Sequence, residues 1–314
     1  MKKKKLLVVG ELNVDLILDD IEGFPKIGEE IVANRMAMVL GSSSAIFASN
    51  ISNLGIDTSF CGMVGKDYFG EFIATQLKAK GVDCTHLRKL ENIKTGITVV
   101  MNYDQDRANV TYCGAMEELR IQDIPWDELH QFDHLHFSNL FLQKNIRNDI
   151  VGLFKKAKEA GLTTSLDLQT DPEGLFEFDY KAALPFVDIF LPNKAELLGV
   201  TKVGTIDKAL EIIKPYAQTV ALKMGEEGSM LFHKGKQTFL SGYANHKFVD
   251  AIGAGDSFNS GFISKFLLGE KMEDCLRFGN LIGAINTTSA GGTGSFQTKL
   301  QVQKIAKEIF NEDI

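Results

Sequence analysis

The stretch Val249-Asp250-Ala251-Ile252-Gly253-Ala254-Gly255-Asp256 sets two close glycines and a carboxylate directly ahead of the segment Ser257–Leu268. In that segment Phe258, Phe262, Ile263, Phe266 and Leu267 recur at helical spacing, and Gly269 supplies a stop. A glycine-rich turn that opens a helix leaves backbone N–H groups pointing forward, and the helix dipole adds positive potential there. The arrangement favours an anion. Asp256 would repel that anion, so its fitting task is to take a proton from a hydroxyl beside it. Anion cradle plus adjacent base is a layout for phosphoryl transfer. Alone, Gly-x-Gly-Asp before a helix is more simply an N-cap; the rest of the chain reverses that order.

The 314 residues are 44% hydrophobic and 24% charged, as in ordinary globular proteins, and can bury a large core. A net charge of −7 carries no nucleic-acid footprint. The run Lys2-Lys3-Lys4-Lys5 precedes only Leu6-Leu7-Val8-Val9, too short an apolar stretch for a signal peptide, and no segment reaches membrane-spanning length. Cys61, Cys84, Cys113 and Cys275 are scattered, without metal or disulfide spacing. A cytoplasmic protein bound neither to membrane nor to nucleic acid is expected. His134-x-His136 could face one way on a strand and bind a metal, but no third ligand accompanies it, so a polar pair beside a buried strand is the better reading.

Strand-like runs at Leu6–Val9, Ser59–Val64, Leu162–Leu168, Asp188–Leu191 and Thr219–Met224 alternate with helical patterns. Those patterns lie at Ser43–Leu54, Tyr68–Lys80, Ile146–Ala160, Lys208–Tyr216, Asp256–Leu268, Met272–Ala290 and Leu300–Phe310. This alternation predicts an α/β fold, a mostly parallel sheet with helices on both faces and ligands at the strands' carboxyl ends. Leu16–Val39 and Thr95–Cys113 break the pattern as strands and turns, with a hairpin signal at Asp104-Gln105-Asp106-Arg107. They form either a small separate sheet acting as a lid or edge strands of the main sheet.

With these motifs in place, the chain resembles the ribokinase (phosphofructokinase B) family of sugar kinases, nearly end to end. The family's Asp-Thr-x-Gly-Ala-Gly-Asp signature stands here as Asp250-Ala251-Ile252-Gly253-Ala254-Gly255-Asp256, with Ala251 replacing the usual Thr. The resemblance implies a three-layer ribokinase-like domain over residues 1–314 with a β-sheet lid at about 16–39 and 95–113. It implies Asp256 as catalytic base and Gly253, Ala254 and Gly255 as the anion hole. Asn13 and Asp15, on one face of the chain after the first strand, correspond to positions that bind sugar hydroxyls; an amide with a carboxylate suits a polyol.

The family's Gly-Gly-x-x-x-Asn-x-Ala motif reads Gly41-Ser42-Ser43-Ser44-Ala45-Ile46-Phe47-Ala48, so the second Gly is Ser42 and the substrate-contacting Asn is Ile46. That wall becomes apolar, while Ser42 and Ser43 either touch substrate or cap the helix. Asn193-Lys194-Ala195-Glu196 matches the family's Asn-x-x-Glu, which implies Asn193 near phosphate and Glu196 holding Mg²⁺ through water; a capping box explains the same residues. Lys223, Gly225 and Gly228 resemble the nucleotide-side loop, and Asn280 and Gly283 the border of the adenine pocket. Asp250 and Ile252 with Ser289 and Gly291 resemble a K⁺ site. Asp167, at a strand end, and Arg107, in the hairpin, are further substrate candidates.

The leading expectation is an ATP- and Mg²⁺-dependent kinase of a sugar or polyol hydroxymethyl group, similar to ribokinase, fructokinase or 2-keto-3-deoxygluconate kinase, and a homodimer through the lid. A missing Arg/Lys cluster at the sugar site weighs against sugar phosphates. Nucleoside or inositol kinases and a non-catalytic sugar or nucleotide sensor are the alternatives. Kinases of vitamin-like hydroxymethyl compounds lack the use for Asn13 and Asp15, and a dehydrogenase lacks its Gly-x-Gly-x-x-Gly, since Gly10-Glu11-Leu12-Asn13 stands there.

Overall fold

Leu6, Leu7, Val8 and Val9 are fully buried on β1 (Lys5–Val9). A strand with no polar alternation needs a sheet covered on both faces. Leu7 and Val9 face one apolar cluster, and Leu6 and Val8 face another on the opposite side. The computed structural model describes residues 3–103 and 107–314. Asp104, Gln105 and Asp106 of the hairpin signal therefore lie outside the described residues.

The remaining strands are β2 (Asn13–Ile21), β3 (Ala33–Leu40), β4 (Asp57–Gly65), β5 (Leu87–Leu90), β6 (Gly96–Asn102), β7 (Arg107–Tyr112), β8 (His134–Ser138), β9 (Thr163–Asp167), β10 (Ile189–Phe190), β11 (Thr219–Lys223), β12 (Gly228–His233) and β13 (Lys236–Ser241). The α-helices are α1 (Ser43–Asn53), α2 (Tyr68–Ala79), α3 (Lys144–Arg147), α4 (Ile150–Glu159), α5 (Tyr180–Ala183), α6 (Lys194–Thr201), α7 (Ile206–Ile213), α8 (Ala254–Leu267), α9 (Met272–Asn286) and α10 (Lys299–Phe310). The large sheet runs β13-β12-β11-β10-β9-β8-β1-β4-β5. All neighbours pair in parallel except β11–β12 and β12–β13. Helices α4, α6 and α7 cover one face with Phe154, Leu197 and Leu210; α1, α2, α8 and α9 cover the other with Phe47, Ile73, Phe262 and Leu276.

From β1 the chain builds β4 and β5 on one side and β8 to β11 on the other. Their loops diverge at β1 and open a crevice at the carboxyl ends. The second sheet, β3-β2-β6-β7, is separate. Register pairs Asp15 with Thr98, Thr98 with Thr111 and Val100 with Asn109 on one face. It pairs Leu16 with Met38 and Val99, Leu18 with Met36, and Val99 with Val110 on the other. The first face thus carries the polar residues Asp15, Thr98, Asn109 and Thr111 beside Ile17, Val39 and Val100, and the second is apolar.

Several elements differ from expectation. The predicted helix Ile146–Ala160 breaks into α3 and α4, because Asp149 N–H turns back onto Ile146 O. The pattern Met272–Ala290 stops at Asn286, where Thr287 and Thr288 turn their hydroxyls onto the Ala284 and Ile285 carbonyls. The antiparallel β12–β13 hairpin is not among the expected elements; its two-residue turn, Lys234-Gly235, holds φ of 49° and 77°. His134 and His136 line a buried strand, as the polar-pair reading holds. Ser165 Oγ lies 2.7 Å from both rings, and His136 stacks on Phe47. Burial holds His134 down at about 3 and His136 below its usual range, so the pair is neutral. Among the described residues no metal-binding His/Cys/Asp/Glu cluster exists, the four cysteines are free, and no helix is long and apolar enough to cross a membrane.

Candidate active site

The carboxyl ends of five neighbouring strands deliver one polar residue each to the crevice: Glu11 after β1, Asn139 after β8, Gln169 after β9, Glu196 after β10, and Lys223 at the end of β11. With the polar face of the small sheet they enclose a cavity of about 480 Å³. Asn13 and Asp15 enter from the start of β2. Asn13 Nδ2 donates to Asp15 Oδ1 (2.8 Å) and Thr98 Oγ1 (2.9 Å). A methyl group at Gly41 would sit 2.3 Å from Asp15 Oδ1, so Gly41 makes room for this pair. Burial raises the Asp15 carboxyl to about 6, against the opposing pull of the Asn13 bond and the Arg107 charge. Arg107 lies on the same wall, on β7.

Ser42, Ser43 and Ser44 start α1. Ser42 takes φ 69°, a left-handed value that glycine adopts at less cost. Its hydroxyl offsets that strain by capping Ala45 N (3.0 Å) and donating to Glu11 O (2.6 Å). Capping and cavity lining are therefore both true of Ser42. Glu11, which no sequence pattern singles out, is 1% exposed and surrounded by the three serines.

Asp256 is the third residue of α8, buried with one side on the cavity. Burial foremost, and then the Asp167 charge, raise it to about 7. Gln169, itself at φ 62°, donates to Asp256 Oδ1 and Asp167 Oδ2, both at 2.9 Å. Asp167 is fully buried and does not line the cavity. It binds Lys223 Nζ at 2.8 Å and accepts from Asn259, so it stands beneath the site as the partner of Lys223 instead of contacting substrate. Burial pulls the Lys223 ammonium down, but Asp167, Glu196 and Asp256 outweigh it and the net shift is upward. Lys223 Nζ lies 3.7 Å from where a Gly255 methyl would stand. Positive charge thus flanks the start of α8.

There, among the described residues, the Gly253 and Gly255 N–H groups have no partner, whereas Ala254 N donates to Ala251 O (3.2 Å). The expected three-donor cradle is narrower at Ala254. Asn193 and Glu196 form a reciprocal capping box: Asn193 N and Nδ2 donate to Glu196 Oε2 (3.0 Å) and Oε1 (2.6 Å), and Glu196 N donates to Asn193 Oδ1 (2.9 Å). Glu196 also lines the cavity, and burial, with Asp167 next, raises it to about 8.

Asp250 accepts from Ile252 N and Gly291 N, both at 2.9 Å, and Ile252 O accepts from Asn286 Nδ2 (2.6 Å). Ser289 packs against Gly294. These bonds clasp the two loops together at the Asp250 carboxylate and the Ile252 carbonyl, two of the groups named for K⁺. Gly225 lines the cavity, but Gly228, Asn280 and Gly283 do not. Gly228, at φ 112°, has Leu240 O 2.1 Å from a would-be Cβ, so it serves the β12–β13 pairing. Asn280 Nδ2 donates to the Leu240 and Ser241 carbonyls, and Gly283 lets α9 approach α8 at Ala254.

Residues 3–299 match the family described as pfkB family carbohydrate kinase. The chain belongs to this family. It is 29% identical to ribokinase of Arabidopsis thaliana, over 96% of this chain and 81% of that one. It is 27% identical to 2-dehydro-3-deoxygluconokinase of Bacillus subtilis, over 83% and 84%. The solved structure of Arabidopsis thaliana ribokinase complexed with ribose and ATP superposes with a TM-score of 0.83 at 27% identity, covering 97% and 99%. The protein is a sugar kinase of the ribokinase type, a phosphotransferase with an alcohol acceptor, and its two sheets are those of the ribokinase-like fold. Ile46 packs over Gly253 and Gly292 and puts an apolar side chain on the cavity wall.

Proposed function

We propose that the protein transfers the γ-phosphoryl group of ATP to a hydroxymethyl group of a sugar or polyol. One observation carries this reading: the buried Asp256 carboxylate, raised to about 7, shares the cavity with free N–H groups at Gly253 and Gly255 and with the Lys223 ammonium. The acceptor hydroxyl lies between Asp256 and the sugar-binding pair Asn13 and Asp15. Its oxygen bonds to the γ-phosphorus, the bond from phosphorus to the bridging oxygen of ADP breaks, and the hydroxyl proton passes to Asp256. Gly253 and Gly255 N–H groups hold the equatorial oxygens as charge spreads over them. Asp167 and Gln169 fix Lys223 and Asp256 in place.

The buried, cavity-facing Glu196 carboxylate fits a Mg²⁺ ion held through water, with Asn193 beside it. When bound, that ion neutralises the phosphate oxygens. The Asp250 carboxylate and the Ile252 carbonyl accept the hydrogen bonds of the loop clasp, and no step is routed through K⁺. Residues 13–40 and 96–112 form the lid: Ile17, Val39 and Val100 on its inner face pack on Ile252 and so connect lid closure to the anion loop.

The outer lid face presents Leu16, Leu18, Val99, Met36 and Val110, with Met36 64% and Val110 62% exposed. A continuous apolar sheet face of this kind fits a second copy of itself in a homodimer. Met36→Glu combined with Val110→Glu should convert the dimer to a folded monomer in sedimentation. A wild-type chain that sediments as a monomer at micromolar concentration rejects the dimer.

The kinase reading is tested by ADP release from ATP and Mg²⁺ across sugars, polyols and nucleosides. Acceptor-dependent release is expected. Silence across the panel, with a sugar still raising Tm, would favour a binding-only sensor. In the same assay Asp15→Ala should raise KM for the acceptor about 10- to 100-fold, the loss of a charged hydrogen bond, and KM for ATP less than about twofold. Equal effects on both would remove Asp15 from the sugar site.

A further inference from the structure

What the acceptor must carry is set by the wall that β1 and α1 turn toward the cavity. Glu11 lies on this wall, buried, with both carboxylate oxygens bonded. Ser44 Oγ donates to Oε2 at 2.5 Å and Ser43 Oγ lies 2.9 Å from Oε1. Ser42 Oγ is 2.6 Å from Glu11 O and 3.1 Å from Oε1. A carboxylate only accepts, and each hydroxyl has one proton to give. The protons of Ser42 and Ser44 are therefore committed to Glu11, and that of Ser43 to Glu11 or to Ser138 Oγ at 2.9 Å. Ser42 and Ser43 are left with lone pairs for the cavity.

The neighbouring groups continue the pattern. Asn139 lines the cavity, and among the described residues its buried Oδ1 has no donor. Asp15 uses one oxygen on Asn13. Four acidic groups line the cavity, Glu11, Asp15, Glu196 and Asp256, together with Arg107 and Lys223. Lys223 is bonded to Asp167, and the Arg107 charge acts on Asp15. An acceptor-rich wall gains from a hydroxyl or an ammonium group. A carboxylate or phosphate placed against these lone pairs would lose its water and meet acceptors in place of donors.

We propose that Glu11 and the serines it orients are the specificity determinant of this kinase, selecting acceptors that present hydroxyl or ammonium hydrogens to this wall and rejecting sugar acids and sugar phosphates. That the selected ligand receives a phosphoryl group rests on the kinase reading; the selection itself is a property of binding and is measured without turnover.

The test is calorimetric binding, without nucleotide, of ribose, fructose, glucosamine, 2-keto-3-deoxygluconate and ribose 5-phosphate to the full chain. At least one donor-bearing ligand among the first three should bind about tenfold or more tightly than both anions. A sugar better than glucosamine names hydroxyl as the donor, and the reverse names ammonium; either supports the wall. Glu11→Gln, which places N–H donors where lone pairs stood, should weaken the preferred ligand about tenfold and shrink its margin over the anions. Should Glu11→Gln misfold, as Tm would report, Ser43→Ala removes one acceptor from the wall and should weaken the same ligand severalfold. Tighter binding of either anion, no binding by any donor-bearing ligand, or an unchanged margin in a folded variant overturns the proposal. ADP release tests the kinase reading separately: an anion that binds best and is phosphorylated sinks the wall and leaves the kinase standing.

Discussion

Asp256→Asn should lower kcat by about 10³-fold or more while leaving the Kd for ATP within about twofold. The substitution keeps shape and volume and removes only the ability to take a proton. Because Asp256 is raised to about 7, the wild-type rate should also climb as pH rises through about 7, where the carboxylate loses its proton and becomes a base. The variant's residual rate should lack that limb. Stability moves the opposite way. In the unfolded chain Asp256 titrates near 3.8, so between that value and about 7 the folded state binds the extra proton. The carboxyl therefore favours folding at low pH, and this contribution is lost as pH rises through about 7. Above pH 7 the wild type buries a charge at this position where the variant buries a neutral amide. The variant should therefore melt a few degrees higher than the wild type at pH 8 and no higher at pH 4. Wild-type turnover in the variant would remove Asp256 from proton transfer. A pH limb that persists in the variant would assign the titration to another group, with Glu196, raised to about 8, the first to examine.

That such a group is legible in the sequence reflects how local its determinants are. The turn at Gly253, the helix from Ala254 and the carboxylate at position 256 occupy one short stretch, so spacing alone places them on one helix end. The same holds for Asn193 and Glu196, one turn apart, and for Asn13 and Asp15 on alternate positions. Glu11 is not legible in this way. A Glu after a strand is ordinarily solvated, and its burial depends on serines about thirty positions away that only the β3–α1 turn brings over it. Asp167 is hard to read for the same reason in the other direction: its strand-end position fits a ligand contact, but its side chain is buried and Lys223 and Asn259, far along the chain, both bond its Oδ2. The β12–β13 hairpin is a different case. The Lys234-Gly235 turn between two runs is visible in the sequence, but β12 pairs antiparallel in an otherwise parallel sheet, against the alternation that governs the rest. Asn280 and Gly228 belong to that region, where their amide and backbone serve the hairpin's edge.

Gly253→Ala should be the most damaging small change in the chain outside Asp256. Gly253 holds φ 73°, a region where a side chain is strained by about 1–3 kcal/mol. A methyl group there would stand 2.5 Å from Gly292 Cα and 3.2 Å from Ile46. The first neighbour is backbone, clasped in place through Asp250 to Gly291, and Asn50 Nδ2 donates to Gly292 O at 2.9 Å. The loop that must yield is therefore the one carrying Gly253. Its displacement moves the Gly253 and Gly255 N–H groups off the phosphoryl oxygens they are placed to meet. Losing one such donor costs about 10²- to 10³-fold in rate, and kcat should fall by that factor with KM for the sugar little changed. The comparison that isolates the cause is Gly255→Ala, two residues on, at ordinary helical backbone. Its methyl group meets only Lys223, at 3.7 Å, so Tm should hold. A Gly253→Ala chain with full kcat and unchanged Tm would mean that the loop gives way without moving its N–H groups, and that the cradle lies elsewhere.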